Sequence, residues 1–285
     1  MRTLLGLIRE PDHSHELIGY LIELSKDLDL SLHLLYIENP ANHELGTPNL
    51  TGTAVANLRQ SLEARIEEGK RKLIKILSQM RPLLNGKTGV DISSDIGNEV
   101  RIAEDMIASG KIQMVAIENR KTAGFWWQDT LVKDMVRNLE CPLWVIPEHS
   151  EYQSIQRIIY ATDYHEEDIP TLQKLIDLTH RLFPHILALH INKNADFEVR
   201  VKTAGFQKML ETKTTYKNIS AKTLIENKGQ DLVQLIHSYA AMNRTDLIVL
   251  LKENMNFLER IFNRSSVEKI MEATSVPVLV YHSKT

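Results

Sequence analysis

The sequence predicts an α/β protein made of two domains, each a parallel sheet with helices packed on both faces. Three observations predict it. First, the chain says nearly the same thing twice. Its opening phrase, Arg2-Thr3-Leu4-Leu5-Gly6-Leu7-Ile8, returns as Arg157-Ile158-Ile159-Tyr160-Ala161-Thr162-Asp163. Its mid-chain phrase, Glu140-Cys141-Pro142-Leu143-Trp144-Val145-Ile146, returns as Ser275-Val276-Pro277-Val278-Leu279-Val280-Tyr281. A repeat unit this long is a whole domain, not one turn of a solenoid. Second, short β-rich runs alternate with long helical patterns, as parallel strands joined by helical crossovers require. Third, 285 residues suit two domains of ordinary size. The copies divide at a short polar linker, Pro147 to Ser154, giving domains at 1–148 and 155–285.

In the first copy the pattern predicts strands at 3–8, 31–37, 89–95, 112–117 and 143–146, with helices near 13–27, 54–83, 98–109 and 129–138. The helix at 54–83 is the clearest. Leu58, Leu62, Ile66, Leu73, Ile76 and Leu77 recur at helical spacing, with Arg59, Glu63, Glu67, Lys70 and Lys75 on the other side. The basic run Lys70-Arg71-Lys72 fits a solvated outer face better than an anion site. The second copy predicts strands at 157–162, 186–191, 220–225, 245–250 and 278–281, and helices near 167–182, 197–211, 229–242 and 264–273. Its stretch 192–219 is shorter than the matching 38–88, so the first copy carries an extra loop before its long helix.

Composition narrows the function classes. A formal net charge of −3 argues against nucleic acid as a partner, since such binders show a basic excess. The apolar runs are strand length, well short of the roughly 20 residues that span a bilayer. Residues 1–10 meet charge at once and lack a small-residue cleavage site, so they read as a first strand and not as a leader. A single cysteine, Cys141, excludes an internal disulfide and a cysteine-based zinc site, and its apolar setting predicts an inert buried thiol. The cytoplasm is the expected compartment.

Asp12-His13-Ser14-His15-Glu16 has zinc-ligand residue types but no partner at metal-site spacing, and it opens a helix, where Asp and Ser serve as caps. Tyr164-His165-Glu166-Glu167-Asp168 likewise reads as an acid-rich helix start, and His190 as a strand histidine satisfied by its surroundings. Phe125, Trp126 and Trp127 cluster in one loop, either packed on a domain or docking a partner. No P-loop, nucleophile elbow, His-Glu-x2-His or dinucleotide fingerprint occurs, so no catalytic set is expected.

The order of phrases resembles a known family. Ala161-Thr162-Asp163 ends a strand; Leu187-Ala188-Leu189-His190-Ile191 follows; Gly229 opens a helix; then come Thr245-Asp246-Leu247-Ile248-Val249-Leu250 and the closing Val276-to-Val280 strand. This is similar to the universal stress proteins, and nearly the whole chain resembles their tandem form. The first copy matches through Gly97-Asn98-Glu99, Ile112 to Ile117 and Cys141-Pro142, but Arg9 stands where the second copy has Asp163. The resemblance implies flavodoxin-like (adenine-nucleotide alpha-hydrolase-like) domains with five parallel strands each. It implies a ligand crevice beyond the strands' carboxyl ends. It also implies that single-domain relatives pair through their last strands, so that Leu143–Ile146 and Val278–Tyr281 would meet within one chain, with a homodimer of the whole also open.

Some members of that family bind ATP through a G-x2-G-x9-G-[ST] loop, whose glycines let backbone amides approach phosphate. The corresponding positions here are Leu251, Asn254 and Arg264, followed by Ser265. In the first copy the last positions fall on Asp129 and Thr130, where a carboxylate would repel phosphate. The resemblance therefore gives ligand-binding candidates only in the second copy: Ala161, Thr162, Asp163, Ile191, Leu250, Asn254, Arg264, Ser265 and Ser266. The equivalents Arg9, Asp129 and Thr130 are expected to be non-functional. Arg264 either pairs with Glu268 one turn on or offers a guanidinium fork to an anion. The expectation is a non-catalytic stress-response binding or adaptor protein with an unknown protein partner and no cofactor or metal. The alternative is a nucleotide (ATP or AMP) or another anion held in the second copy alone. A hydrolase or transferase is a third class, for which the sequence offers no acid, base or metal set.

Overall fold

The computed structural model describes residues 2–42, 52–84, 89–120, 130–226, 232–252 and 276–282. Its order is β1 (Thr3–Ile8), α1 (His15–Asp27), β2 (Ser31–Glu38), α2 (Gly52–Gln79), α3 (Arg81–Leu84), β3 (Val90–Ile96), α4 (Glu99–Ala108), β4 (Met114–Asn119), α5 (Thr130–Asn138) and β5 (Leu143–Pro147). It continues with β6 (Arg157–Ala161), α6 (Asp168–Thr179), β7 (His185–Asn192), α7 (Phe197–Lys213), β8 (Ile219–Ile225), α8 (Leu232–Met242), β9 (Leu247–Leu251) and β10 (Val278–Tyr281). Each expected strand forms within two residues of its expected bounds. The expected helix at 264–273 lies outside the described residues.

The chain divides into two compact units. One is drawn from Met1–Asn119, Asp129–Leu143 and Glu148–Tyr152, the other chiefly from Gln153–Thr285 together with Trp144–Pro147. In the first unit the strand order is β3-β2-β1-β4, all parallel. The Val115 amide donates to the Pro142 carbonyl within the same unit. In the second unit the order is β8-β7-β6-β9-β10, again all parallel. Thr3 pairs with Ser31 as Arg157 pairs with His185, an offset of 154 in both strands. The repeat seen in the sequence is thus a repeat of strand register.

Central strands are apolar on both faces because helices cover both. Leu4, Leu5, Leu7 and Ile8 of β1 and Ile158, Ile159 and Tyr160 of β6 are all buried, as two-sided parallel strands should be. Helix α1 supplies Leu17, Ile18, Leu21, Ile22 and Leu24 to the first core. Gly6 makes room for it: an added Cβ would lie 2.5 Å from a Leu21 methyl.

Helix α2 buries Leu62, Ile66 and Leu73 and exposes Arg59, Glu63, Glu67 and Lys75, as its periodicity predicts. Two details differ from expectation. The single helix expected over 54–83 breaks at Met80, whose amide splits between the Ile76 and Leu77 carbonyls. Pro82 cannot donate the next bond, so the chain restarts as the short α3. The linker is not merely a spacer. Tyr152 stands edge-on to Tyr20 at 5.2 Å, and its hydroxyl donates to Asp27 at 2.7 Å. Burial and then the Asp27 carboxylate raise that phenol's pKa.

No described helix is long and apolar enough to cross a membrane.

Candidate functional site

In the second unit the chain steps outward from β6 through β7 to β8, then returns to place β9 on the other side of β6. Such a reversal opens a crevice at the carboxyl ends of the strands, the usual ligand position in doubly wound sheets. Ala161 ends β6, Ile191 is the penultimate residue of β7, and Leu250 is the penultimate residue of β9. All three side chains are buried, so they shape the floor beneath that crevice. Asn254, Arg264, Ser265 and Ser266 lie outside the described residues, as do Asp129 and the Phe125-Trp126-Trp127 cluster.

The loop from β6 to α6 is built around Asp168, which is fully buried. Its carboxylate accepts from the Tyr160 hydroxyl at 2.9 Å, the Thr162 hydroxyl at 2.6 Å and the His165 amide at 3.2 Å. Tyr160 and Thr162 are two apart and so share one face of the strand, which brings both hydroxyls to one acceptor. Thr162 also accepts from the Tyr164 amide at 2.8 Å. Its hydroxyl is therefore committed to the loop. Burial, with Asp168 alongside, raises the Tyr160 pKa well above its ordinary value and keeps the phenol a donor.

Beyond Thr162 the loop carries two outward groups. Asp163 is partly exposed, and one of its oxygens lies 3.4 Å from His190 Nδ1. The same nitrogen lies 2.9 Å from the Thr162 carbonyl, an acceptor, so Nδ1 carries a proton. Tyr164 adopts a left-handed backbone, φ 62°, which non-glycine residues enter seldom. Its ring lies over His190 at 4.9 Å and Phe206 at 4.8 Å, and its hydroxyl meets Thr223 at 3.0 Å. Thr223 in turn meets Thr203 at 2.7 Å. The first loop is thus held from the strand side by Asp168 and from the β7–β8 side by Tyr164.

The first unit lacks this arrangement. The offset of 154 puts Gly6, Ile8, Arg9 and Ser14 at the registers of Tyr160, Thr162, Asp163 and Asp168. Ser14 is buried too, but its hydroxyl turns back to the Pro11 carbonyl at 2.9 Å. Thr130 opens α5. The polar core of the loop therefore belongs to the second unit alone.

The sequence singled out Thr162 and Asp163 but read Asp168 only as part of an acid-rich helix start, and His190 as a strand histidine satisfied by its surroundings, as its bond to the Thr162 carbonyl shows it to be. The readable signal was the Tyr160-x-Thr162 pair, two hydroxyls aimed one way from an otherwise apolar strand. The histidines near residue 14 remain surface groups. Asp12 pairs with Lys72 at 2.7 Å and Glu16 with His149 at 2.8 Å. No cluster of metal-ligating side chains occurs among the described residues. Cys141 is buried, and burial pushes its thiol up to about 12, which leaves it protonated and unreactive at neutral pH.

No protein-family model and no curated protein matches the sequence. Solved structures do match along the full length. A universal stress protein from Archaeoglobus fulgidus is 12% identical, with a TM-score of 0.62, over 98% of this chain and 96% of that one. A putative universal stress protein from Pseudomonas aeruginosa is 13% identical, with a TM-score of 0.60, over 99% and 93%. The cytoplasmic domain of a prokaryotic cation chloride cotransporter is 10% identical, with a TM-score of 0.54, over 99% and 96%. At such identities the likeness is one of fold: this chain has the fold of the universal stress proteins.

Proposed function

We propose that the chain is a cytoplasmic tandem universal stress protein that acts by binding, as a stress-response adaptor, and not by turnover. The full-length likeness to universal stress proteins supports the family reading. The observation that carries the division of labour is one of register. The second unit presents Asp163 on a braced loop at its strand-order reversal, and the first presents Arg9 at the same place. The glycine positions of the family's phosphate loop hold Leu251, Asn254 and Arg264 in the second copy, and the last of them holds Asp129 in the first, which speaks against a conventional ATP site in either. In this proposal the strands Leu143–Ile146 and Val278–Tyr281 cover one another's edges within the chain.

A second reading keeps a nucleotide or another anion in the second unit, with Arg264 and Ser265 replacing glycine amides. One experiment separates the two: thermal melting of the full chain with and without ATP, AMP and magnesium. A ligand bound only by the folded form adds about 2.7 kcal/mol at a hundredfold excess over Kd. No shift at millimolar nucleotide supports the adaptor reading. A clear shift that disappears in Arg264→Ala and Asp163→Ala replaces it with the second.

A further inference from the structure

A groove of about 360 Å³ runs along helix α1 in the first unit. No strand residue lines it, so it is separate from the crevice at the strand ends. Its floor is the face of α1 that carries Glu16, Gly19, Tyr20 and Glu23, which helical spacing brings together. Met80, Pro82 and Leu83, where α2 breaks into α3, form one wall, and Ser150, Glu151 and Tyr152 of the linker form the other. Gly19 has no side chain to fill the floor, and a Cβ there would come no nearer than 3.7 Å to the Met80 methyl. Tyr152 is fixed in its wall by its bond to Asp27 and its edge-on contact with Tyr20. The second unit is built differently. The offset of 154 puts Gln173 and Lys174 at the registers of Gly19 and Tyr20, and the Gln173 side chain reaches Asp177 at 2.8 Å.

The walls state the chemistry of an occupant. Ligand pockets are chiefly apolar and aromatic with a few polar groups, and this groove has the volume of a small one. Tyr20, Tyr152, Met80, Pro82 and Leu83 supply the apolar part. The charged part is one-sided: Glu16, Glu23 and Glu151 line the groove with no lysine or arginine, and His15 is the only basic group in the walls. Lys26, Arg81 and His149 belong to the same segments but stand outside those walls. Lys26 meets one oxygen of Glu23 at 2.9 Å, and His149 one oxygen of Glu16 at 2.8 Å. A carboxylate offers about four acceptor sites, so both keep capacity for a second cation. Glu151 is exposed and has no ion-pair partner among the described residues. After burial and Asp27, Glu23 also raises the pKa of the Tyr152 phenol, so its charge is felt at that wall. The faces of tyrosine rings add attraction for a cation.

We propose that this groove binds a small organic cation, a protonated amine carried on an apolar or aromatic body. The ammonium group donates to the carboxylates of Glu16, Glu23 and Glu151, and the body fills the space over Gly19 against Met80, Pro82 and Leu83. At about 30 Å³ for each water-sized group, the space suits about ten non-hydrogen atoms. A nucleotide is excluded from this groove by its charge, since its phosphates would meet three carboxylates. Because the linker supplies one wall, an occupant also fastens Ser150–Tyr152 to α1. A ligand of this size, making so few polar contacts, binds with Kd of about 0.1–1 mM.

Phenethylamine, protonated at neutral pH, is the probe, titrated against the full chain and followed by its own NMR signals. Phenethyl alcohol is its neutral counterpart and phenylpropionate its anionic one. The expected result is saturable binding of the amine, with the alcohol and the carboxylate weaker by about tenfold or more. Gly19→Gln, which copies the second unit, should abolish binding. It should not lower the melting temperature, since glycine is the poorer helix former, so lost binding is separated from lost folding. Glu151→Gln, at an exposed position, should weaken amine binding by about threefold or more with melting unchanged. No binding at about 10 mM amine overturns the inference. Equal binding of the alcohol overturns the part assigned to charge. Binding that survives Gly19→Gln places the amine elsewhere and overturns the site.

Discussion

Asp168 shows how much one side chain can organise. Three donors converge on its buried carboxylate, so its removal takes from the Tyr160 and Thr162 hydroxyls and the His165 amide the acceptor they share. Unpaired buried polar groups cost about 1–3 kcal/mol each. Asp168→Ala should therefore lower stability by about 3 kcal/mol in a denaturant titration, whereas substitution of the exposed Glu166 should leave the midpoint unchanged. His33 makes a pH prediction of definite sign. Burial lowers its pKa below the ordinary 6.5, outweighing Asp91, while its Nε2 meets Ser93 at 2.6 Å. The folded state thus favours the neutral ring. The stability this confers is present above pH 6.5 and is lost as pH falls through the lowered value. Melting temperature should decline on that acid side, and His33→Gln should flatten the decline. An equal decline in the variant would mean that other groups carry it.

Among the elements, the contact of α2 with β2 turns on an absent side chain. The Tyr36 ring lies against Gly69, where an added Cβ would sit 2.1 Å from a ring carbon. The phenol bonds to Glu38, which fixes the ring in place, and burial raises its pKa. Glycine to alanine inside a helix ordinarily gains about 1 kcal/mol. Here Gly69→Ala should instead cost about 1–3 kcal/mol, because a rigid ring must move. Thermal melting of the single variant decides the sign. Both units also share a clamp. The Gln113 side chain accepts the Thr3 amide at 2.7 Å, and Asp246 accepts the Arg157 amide at 2.9 Å. Each clamp residue also donates its own amide to the carbonyl it faces. This explains why β4 and β9 begin at Met114 and Leu247, two residues later than hydrophobic patterning suggests. Residues 112–113 and 245–246 are spent on joining the fourth strand to the first.

At the level of the whole chain, architecture was legible because it rests on repetition and period. Two copies of a phrase, strands of alternating length with helices and a strict apolar centre specify the order of elements, and the parallel ladders follow. The break at Met80 was less legible, since Pro82 can sit either at the end of a helix or at the start of the next. The site was legible only in outline. Thr162 and Asp163 stood out in a phrase, but the burial of Asp168 depends on Tyr160 lying beneath it, which no local pattern reports.

The strand order also governs the course of folding. Within each unit the first strand made is an interior one, and its two neighbours are the second and the fourth. Until Met114 or Leu247 has left the ribosome, one edge of that strand has nothing to pair with, and its apolar residues wait uncovered. Parallel pairing allows no local hairpin to form early, so every ladder closes a long loop and contact order is high. During synthesis each unit must therefore pass through a half-sheet with an open apolar edge, the stage at which a chaperone would be needed most.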